Sequence, residues 1–264
     1  MSVADSAGTA RRARGSVNSN LELQPAPTIF DTSFPNMTMN LHLLQISDSA
    51  LPISGYTHSW GLEGAIGLGL VHDPESLERW TSRWLRHSVG PFEGVLVAAS
   101  CRSARAGRAA DLKSFNRWFD ASLVPPSLRR ASREMGDQLL TLGQTWAWSS
   151  PGLEPFLQAE ADEPDGWHHA VAFGLLGALT GSAVQDVLTA YLHQATLGMV
   201  SAGVRAIPVG HTHGQQVLAY LHQEIRDLIA ELGDRELETA GAGCPFYEVV
   251  CDEQTRLYAR MFRS

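Results

Sequence analysis

From Thr38 onward the apolar positions of the chain recur at helical rather than alternating spacing. Leu77, Trp80, Thr81, Trp84 and Leu85 fall at i, i+3, i+4, i+7 and i+8, the stripe by which a helix buries one face. Asp73-Pro74 precedes it and supplies a cap and a first-turn proline. Gly90-Pro91 predicts its end, and Phe92, Val95, Leu96 and Ala99 open another helix. Leu112, Phe115 and Phe119 mark a third. After Pro125-Pro126-Ser127, the residues Leu128, Ala131, Met135, Leu139, Leu142 and Trp146 share a face.

Residues 149–166 carry three prolines and several acids, and predict loop with one short helix. The apolar stretch 167–179 is rich in small residues. Ser182 and Gln185 have capping-box spacing ahead of a long helix carrying Val187, Leu188, Tyr191, Leu192 and Met199. The next helix carries Val217, Leu221, Ile225 and Leu228, with Gly233 at its end. No segment alternates apolar and polar residues between turns, as a strand would. The expectation is an all-α fold of about eight to eleven helices. Residues 1–36 lack apolar period and predict a disordered tail, 37–240 form the helical domain, and 241–264 form a C-terminal partner-binding segment.

Composition narrows the classes of function. The chain has 264 residues, 44% of them apolar, and a net charge of −8, which disfavours a nucleic-acid partner. No apolar run reaches the roughly 18 residues of a membrane span, and no signal-peptide core follows Arg11, Arg12 and Arg14. Three cysteines, Cys101, Cys244 and Cys251, read as unpaired thiols of a reducing compartment. The expected location is the cytoplasm.

No phosphate loop, nucleophile elbow or H-E-x-x-H helix is present. Gly61, Gly64 and Gly67 recur every three residues, the spacing of a flat helix ridge made for close packing. Asp48, His58 and Ser54 or Ser59 hold the ingredients of a nucleophilic triad without a strained turn to present the serine, so their expected role is backbone satisfaction around a bend. His211 and His213 in "HTHGQ" would face the same way in extended chain and apart in a helix, which leaves a metal pair open beside a capping loop. The adjacent His168 and His169 are expected in solvent at a helix start.

Four ordered stretches carry a resemblance. "LLQISDSALPISGYTHSWGLE" (43–63) resembles the N-terminal motif of urease accessory proteins of the UreF type. "HHAVAFG" (168–174), "MVSAGVRAIPVGHTHGQ" (199–215) and "LYARMFRS" (257–264) resemble three further stretches of that family. The chain departs from the family pattern at Ser54, His211, His213, Gln254 and Thr255.

The resemblance implies an all-α, non-catalytic scaffold without a cofactor of its own, nickel being cargo. It implies a homodimer that joins a UreD/UreH-type accessory protein and a UreG-type GTPase to load nickel into apo-urease, with no nucleic acid or membrane partner. The partner-binding residues it points to are Asp48, Ser49, Tyr56, His58, Glu63, Arg205 and Gln215, and in the tail Tyr258, Arg260, Phe262 and Arg263. The rival reading is a helical metalloenzyme using His211 and His213.

Overall fold

Helices begin where the sequence supplies a cap or a proline. A computed structural model describes residues 40–157 and 166–264, and the expected N-terminal tail lies outside them. Asn40 caps α1 (Leu41–Ile46): its side-chain oxygen accepts from the His42 and Leu43 amides at 3.0 and 3.2 Å. After α2 (Leu62–Gly67), Asp73 and Ser76 form a reciprocal capping box for α3 (Pro74–Trp84). There follow a π-helical segment (Leu85–Gly94), α4 (Val95–Arg105), α5 (Ala109–Ser122) and α6 (Pro126–Thr145). Then come α7 (Ser150–Leu157), α8 (His169–Leu179), α9 (Val184–Ala206), α10 (His211–Leu232) and α11 (Pro245–Thr255). No strand occurs among the described residues, so the all-α expectation holds.

α8 sits at the centre. Its residues from His169 to Gly177 are all buried, as befits a helix that is apolar on every side. α4, α6 and α9 pack around it. Its small residues let the neighbours approach: a Cβ on Gly174 would lie 2.6 Å from the Val97 carbonyl oxygen of α4. α9 and α10 pack as an antiparallel pair, and α3 lies across both. The ridge predicted from Gly61, Gly64 and Gly67 is present. A Cβ on Gly64 would meet the Val250 carbonyl oxygen at 2.4 Å, so α11 rests directly on α2.

Gly90-Pro91 does not end a helix. The chain passes from α3 through the π segment into α4 without a loop. Proline has no N–H to give, and its ring clashes with the carbonyl four residues back in an α-helix. The wider π turn relieves that contact. On the outside of the segment the His87 carbonyl accepts the Gly243 amide at 2.8 Å, and the Pro91 carbonyl accepts the Gly241 amide at 3.1 Å. Residues 241–243, at the start of the C-terminal segment, thus clamp the π segment.

Two further readings need correction. α9 is capped at Ala183 with no side-chain bond, because the Ser182 hydroxyl is engaged by Thr180 at 2.9 Å instead. His168 and His169 are buried, not solvated: the apolar run behind them carries them inward with α8. The His168 ring sets Nε2 3.1 Å from Asp120 Oδ1, and its amide donates to Asn116 Oδ1 at 2.8 Å. Burial holds both imidazoles well below their usual range, at about 4.

Candidate functional site

The 43–63 motif folds into a bend fastened by its own polar groups. Ser47 ends α1 by donating to the Leu43 carbonyl at 2.9 Å, and Asp48 accepts from the Ala50 amide at 2.8 Å. Ser54 takes a left-handed conformation (φ 66°) and donates to Gln138 Oε1 at 3.0 Å. Trp60 (φ 53°) and Gly61 (φ 79°) turn the chain into α2. Among these contacts no hydrogen bond joins Asp48, His58, Ser54 and Ser59 into a triad.

The bend is the receptor for the C-terminal segment. The Ser264 carbonyl oxygen accepts from the amides of Ser59 (2.5 Å) and Trp60 (3.1 Å) and from the Ser59 hydroxyl (2.9 Å). The Ser264 hydroxyl meets His58 Nδ1 at 2.7 Å. Glu63 accepts from the Met261 amide at 2.5 Å, the Phe262 amide at 3.1 Å and the Gln254 side chain at 3.2 Å. Phe262 is 3% exposed. His58 is itself buried, which together with the Arg263 charge lowers its pKa to about 4.

Arg205, on α9, closes the arrangement. Its guanidinium lies 3.9 Å from the Tyr56 ring centre and 4.7 Å from that of Phe262, and it donates to the Tyr56 carbonyl at 2.8 Å. Flat stacking on two rings is what guanidinium permits and ammonium does not. Arg263 grips both oxygens of Glu134 on α6, at 2.8 and 2.9 Å. The sequence-predicted residues therefore divide. His58, Glu63, Arg205, Phe262 and Arg263 hold the tail to the body. Asp48, Ser49, Tyr56, Gln215, Tyr258 and Arg260 stand exposed.

The first and third motifs meet around one cavity of about 540 Å³. Asp48, Ser49, Tyr56, Arg205, His211 and Gln215 line it near the surface. His211 and His213 occupy the first turn of α10, both exposed. Among the described residues no group of three His, Cys, Asp or Glu side chains is placed to hold a metal ion. Sequence reasoning missed Glu134, Ser59 and Gln254, whose roles depend on where the tail lands. It also missed Glu93 at the cavity floor, which the broken helix pattern around Pro91 had concealed.

Glu63→Ala should release the tail. Two backbone donors would lose a charged acceptor, about 2 kcal/mol of local stability. Hydrogen exchange followed by mass spectrometry is expected to show residues 257–264 opening at least tenfold more often, with the melting temperature little changed. Unaltered protection of Met261 and Phe262 would contradict this anchoring.

The UreF family model matches residues 71–222 of the chain. The chain is 32% identical over 229 residues to the urease accessory protein UreF of Cupriavidus taiwanensis, covering 85% of this chain and 97% of that protein. It is 30% identical to the protein of the same name from Nostoc sp., over 85% of this chain and 95% of that one. With the Arthrobacter sp. counterpart it shares 31% over 85% and 96%.

Proposed function

Because the chain belongs to the UreF family of urease accessory proteins, we propose that it is a non-catalytic scaffold in urease maturation. In this reading it joins a UreD/UreH-type accessory protein and a UreG-type GTPase in the cytoplasm, as a homodimer, so that nickel reaches apo-urease. The observation that carries the reading is the match along almost the whole length of proteins named urease accessory protein UreF. The geometry supports it in two ways. The polar groups of the first motif are engaged in backbone and tail contacts, not poised for chemistry. The docked tail still leaves Tyr258, Met261 and Val249 exposed, apolar and aromatic groups suited to a partner's surface. No helix among the described residues is long and apolar enough to cross a membrane.

The test is a strain with the urease operon intact except for this gene, grown at limiting nickel. Urease is expected in normal amount on an immunoblot, with activity near background and little nickel in the purified enzyme. A plasmid copy should restore both. Normal activity in the deletion strain would overturn the assignment.

A further inference from the structure

The floor of the cavity has no part in holding the tail, and its chemistry is specific. The π segment presents Glu93 there, and Tyr191 of α9 donates its hydroxyl to Glu93 Oε2. No other hydrogen bond reaches that carboxyl among the described residues. Trp60, Trp84 and Tyr191 supply aromatic walls, and Met135, Val89 and Ile53 apolar ones. His169 and Gln194 also line the cavity, and each buries a polar atom, Nε2 and Oε1, that lacks a partner. Buried polar groups are seldom left so unless water or a ligand completes them. The cavity lies within the size range of small-molecule sites. A π-helix is retained at the cost of poorer backbone bonding, and recurs at functional sites.

We propose that this cavity binds an organic ammonium ion with an apolar body, its charged end between the Glu93 carboxylate and the rings of Trp60, Trp84 and Tyr191. A carboxylate under aromatic faces is the pairing that selects such cations. An anion is disfavoured because the cation lining the cavity, Arg205, is already occupied by Tyr56 and Phe262. A metal ion is disfavoured because Glu93 and His169 have no third His, Cys, Asp or Glu beside them among the described residues. The site is independent of the role in urease maturation.

Binding should depend on pH through Glu93. Its carboxyl is pushed up to about 7 by burial, against the bond from Tyr191. Three groups facing it from the packed helices, Tyr191, Tyr247 and His169, keep one charge state between pH 6 and 8. Tyr191 and Tyr247 are raised well above 10, and His169 lies at about 4. Asp48, Arg205 and His211 stand nearer the surface.

The probe is 2-phenylethylammonium, with 2-phenylethanol as its neutral counterpart, titrated against the full chain by calorimetry and tryptophan fluorescence. The ammonium is expected to bind about tenfold more tightly at pH 8 than at pH 6, following ionisation of the carboxyl. The alcohol should bind weakly and equally at both. Glu93→Gln keeps shape and surface charges, and should remove both the preference for the ammonium and its pH dependence. A circular-dichroism spectrum and melting curve establish that the variant is folded. Three outcomes overturn the proposal: no saturable binding at millimolar concentration, equal binding of the two probes, or a pH dependence that survives in Glu93→Gln. Binding of a divalent nickel or zinc ion in preference to the ammonium, lost in the same variant, would overturn it too.

Discussion

Acidification from pH 7 to pH 4.5 is expected to lower the stability of the fold by about 3 kcal/mol. His58, His168 and His169 are buried, and burial lowers each from 6.5 to about 4. Between those values the unfolded chain takes up a proton at each ring that the native state refuses. Stability is therefore complete above about pH 6.5, declines as the pH falls, and stops declining below about 4. One full shift of this size corresponds to at most about 3 kcal/mol. Half of that at each of three sites is about 4 kcal/mol, close to the lower end of the roughly 5–15 kcal/mol that separates native from unfolded protein. Glu93 works in the opposite direction, since its raised carboxyl gains a proton on folding at pH values from its usual 4.5 to about 7. One carboxyl does not offset three imidazoles. Thermal melts from pH 7.5 to 4.5 should show the midpoint falling steadily below pH 6.5. His169→Phe should make the fall shallower, because that ring already packs between Phe173 and Tyr191 and its Nε2 has no partner to lose. A melting temperature unchanged between pH 7 and 5 would refute the account.

Gly136→Ala is expected to cost more than about 3 kcal/mol, the upper part of the range for overpacking. A Cβ there would lie 1.9 Å from the Trp167 carbonyl oxygen, 2.7 Å from the His168 carbonyl carbon and 2.8 Å from the His169 amide nitrogen. All three belong to backbone, which cannot step aside as a side chain can. Moving that backbone would strain three bonds that fix the start of α8. They are the Trp167 amide to Asp137 (2.7 Å), the His168 amide to Asn116 (2.8 Å) and the His169 amide to Ser132 (3.3 Å). The central helix would lose its entry point. At roughly 2–4 °C per kcal/mol for a domain of this size, the melting temperature should fall by about 10 °C. Gly152→Ala is the control, because its Cβ would meet only the flexible Leu179 side chain, at 2.7 Å at the nearest. Equal melting temperatures for the two variants would refute the argument.

Those two positions mark where the sequence was readable and where it was not. Periodicity identified the helices, and the spacing of Gly61, Gly64 and Gly67 correctly announced close packing, because both signals are local. The polar partners of His168 and His169 were not local: Asp120 and Asn116 arrive with α5 and Ser132 with α6. Gly90-Pro91 read as a terminator because a proline removes a helical donor. The chain instead continues through a π segment, braced from outside by Gly243, some 150 residues further on. At the site, the motif at 43–63 showed that its polar residues satisfy a bend. It did not show that the bend is shaped to receive residues 261–264, since the His58, Ser59 and Glu63 side chains meet tail groups about 200 residues away in sequence. Arg205, expected at a contact with a partner protein, stacks within the chain on Tyr56 and Phe262.

The clamp of residues 241–243 on the π segment has a consequence for the order of events at the ribosome. His87 is synthesised long before Gly243, so the bond between them forms late. Until then the π segment around Gly90-Pro91 lacks this outer brace. Continuity of the rod, and with it the placement of Glu93 under Tyr191, is completed only when the chain after α10 has been made and has folded back. The N-terminal half can collapse during translation. The cavity it contributes to closes last.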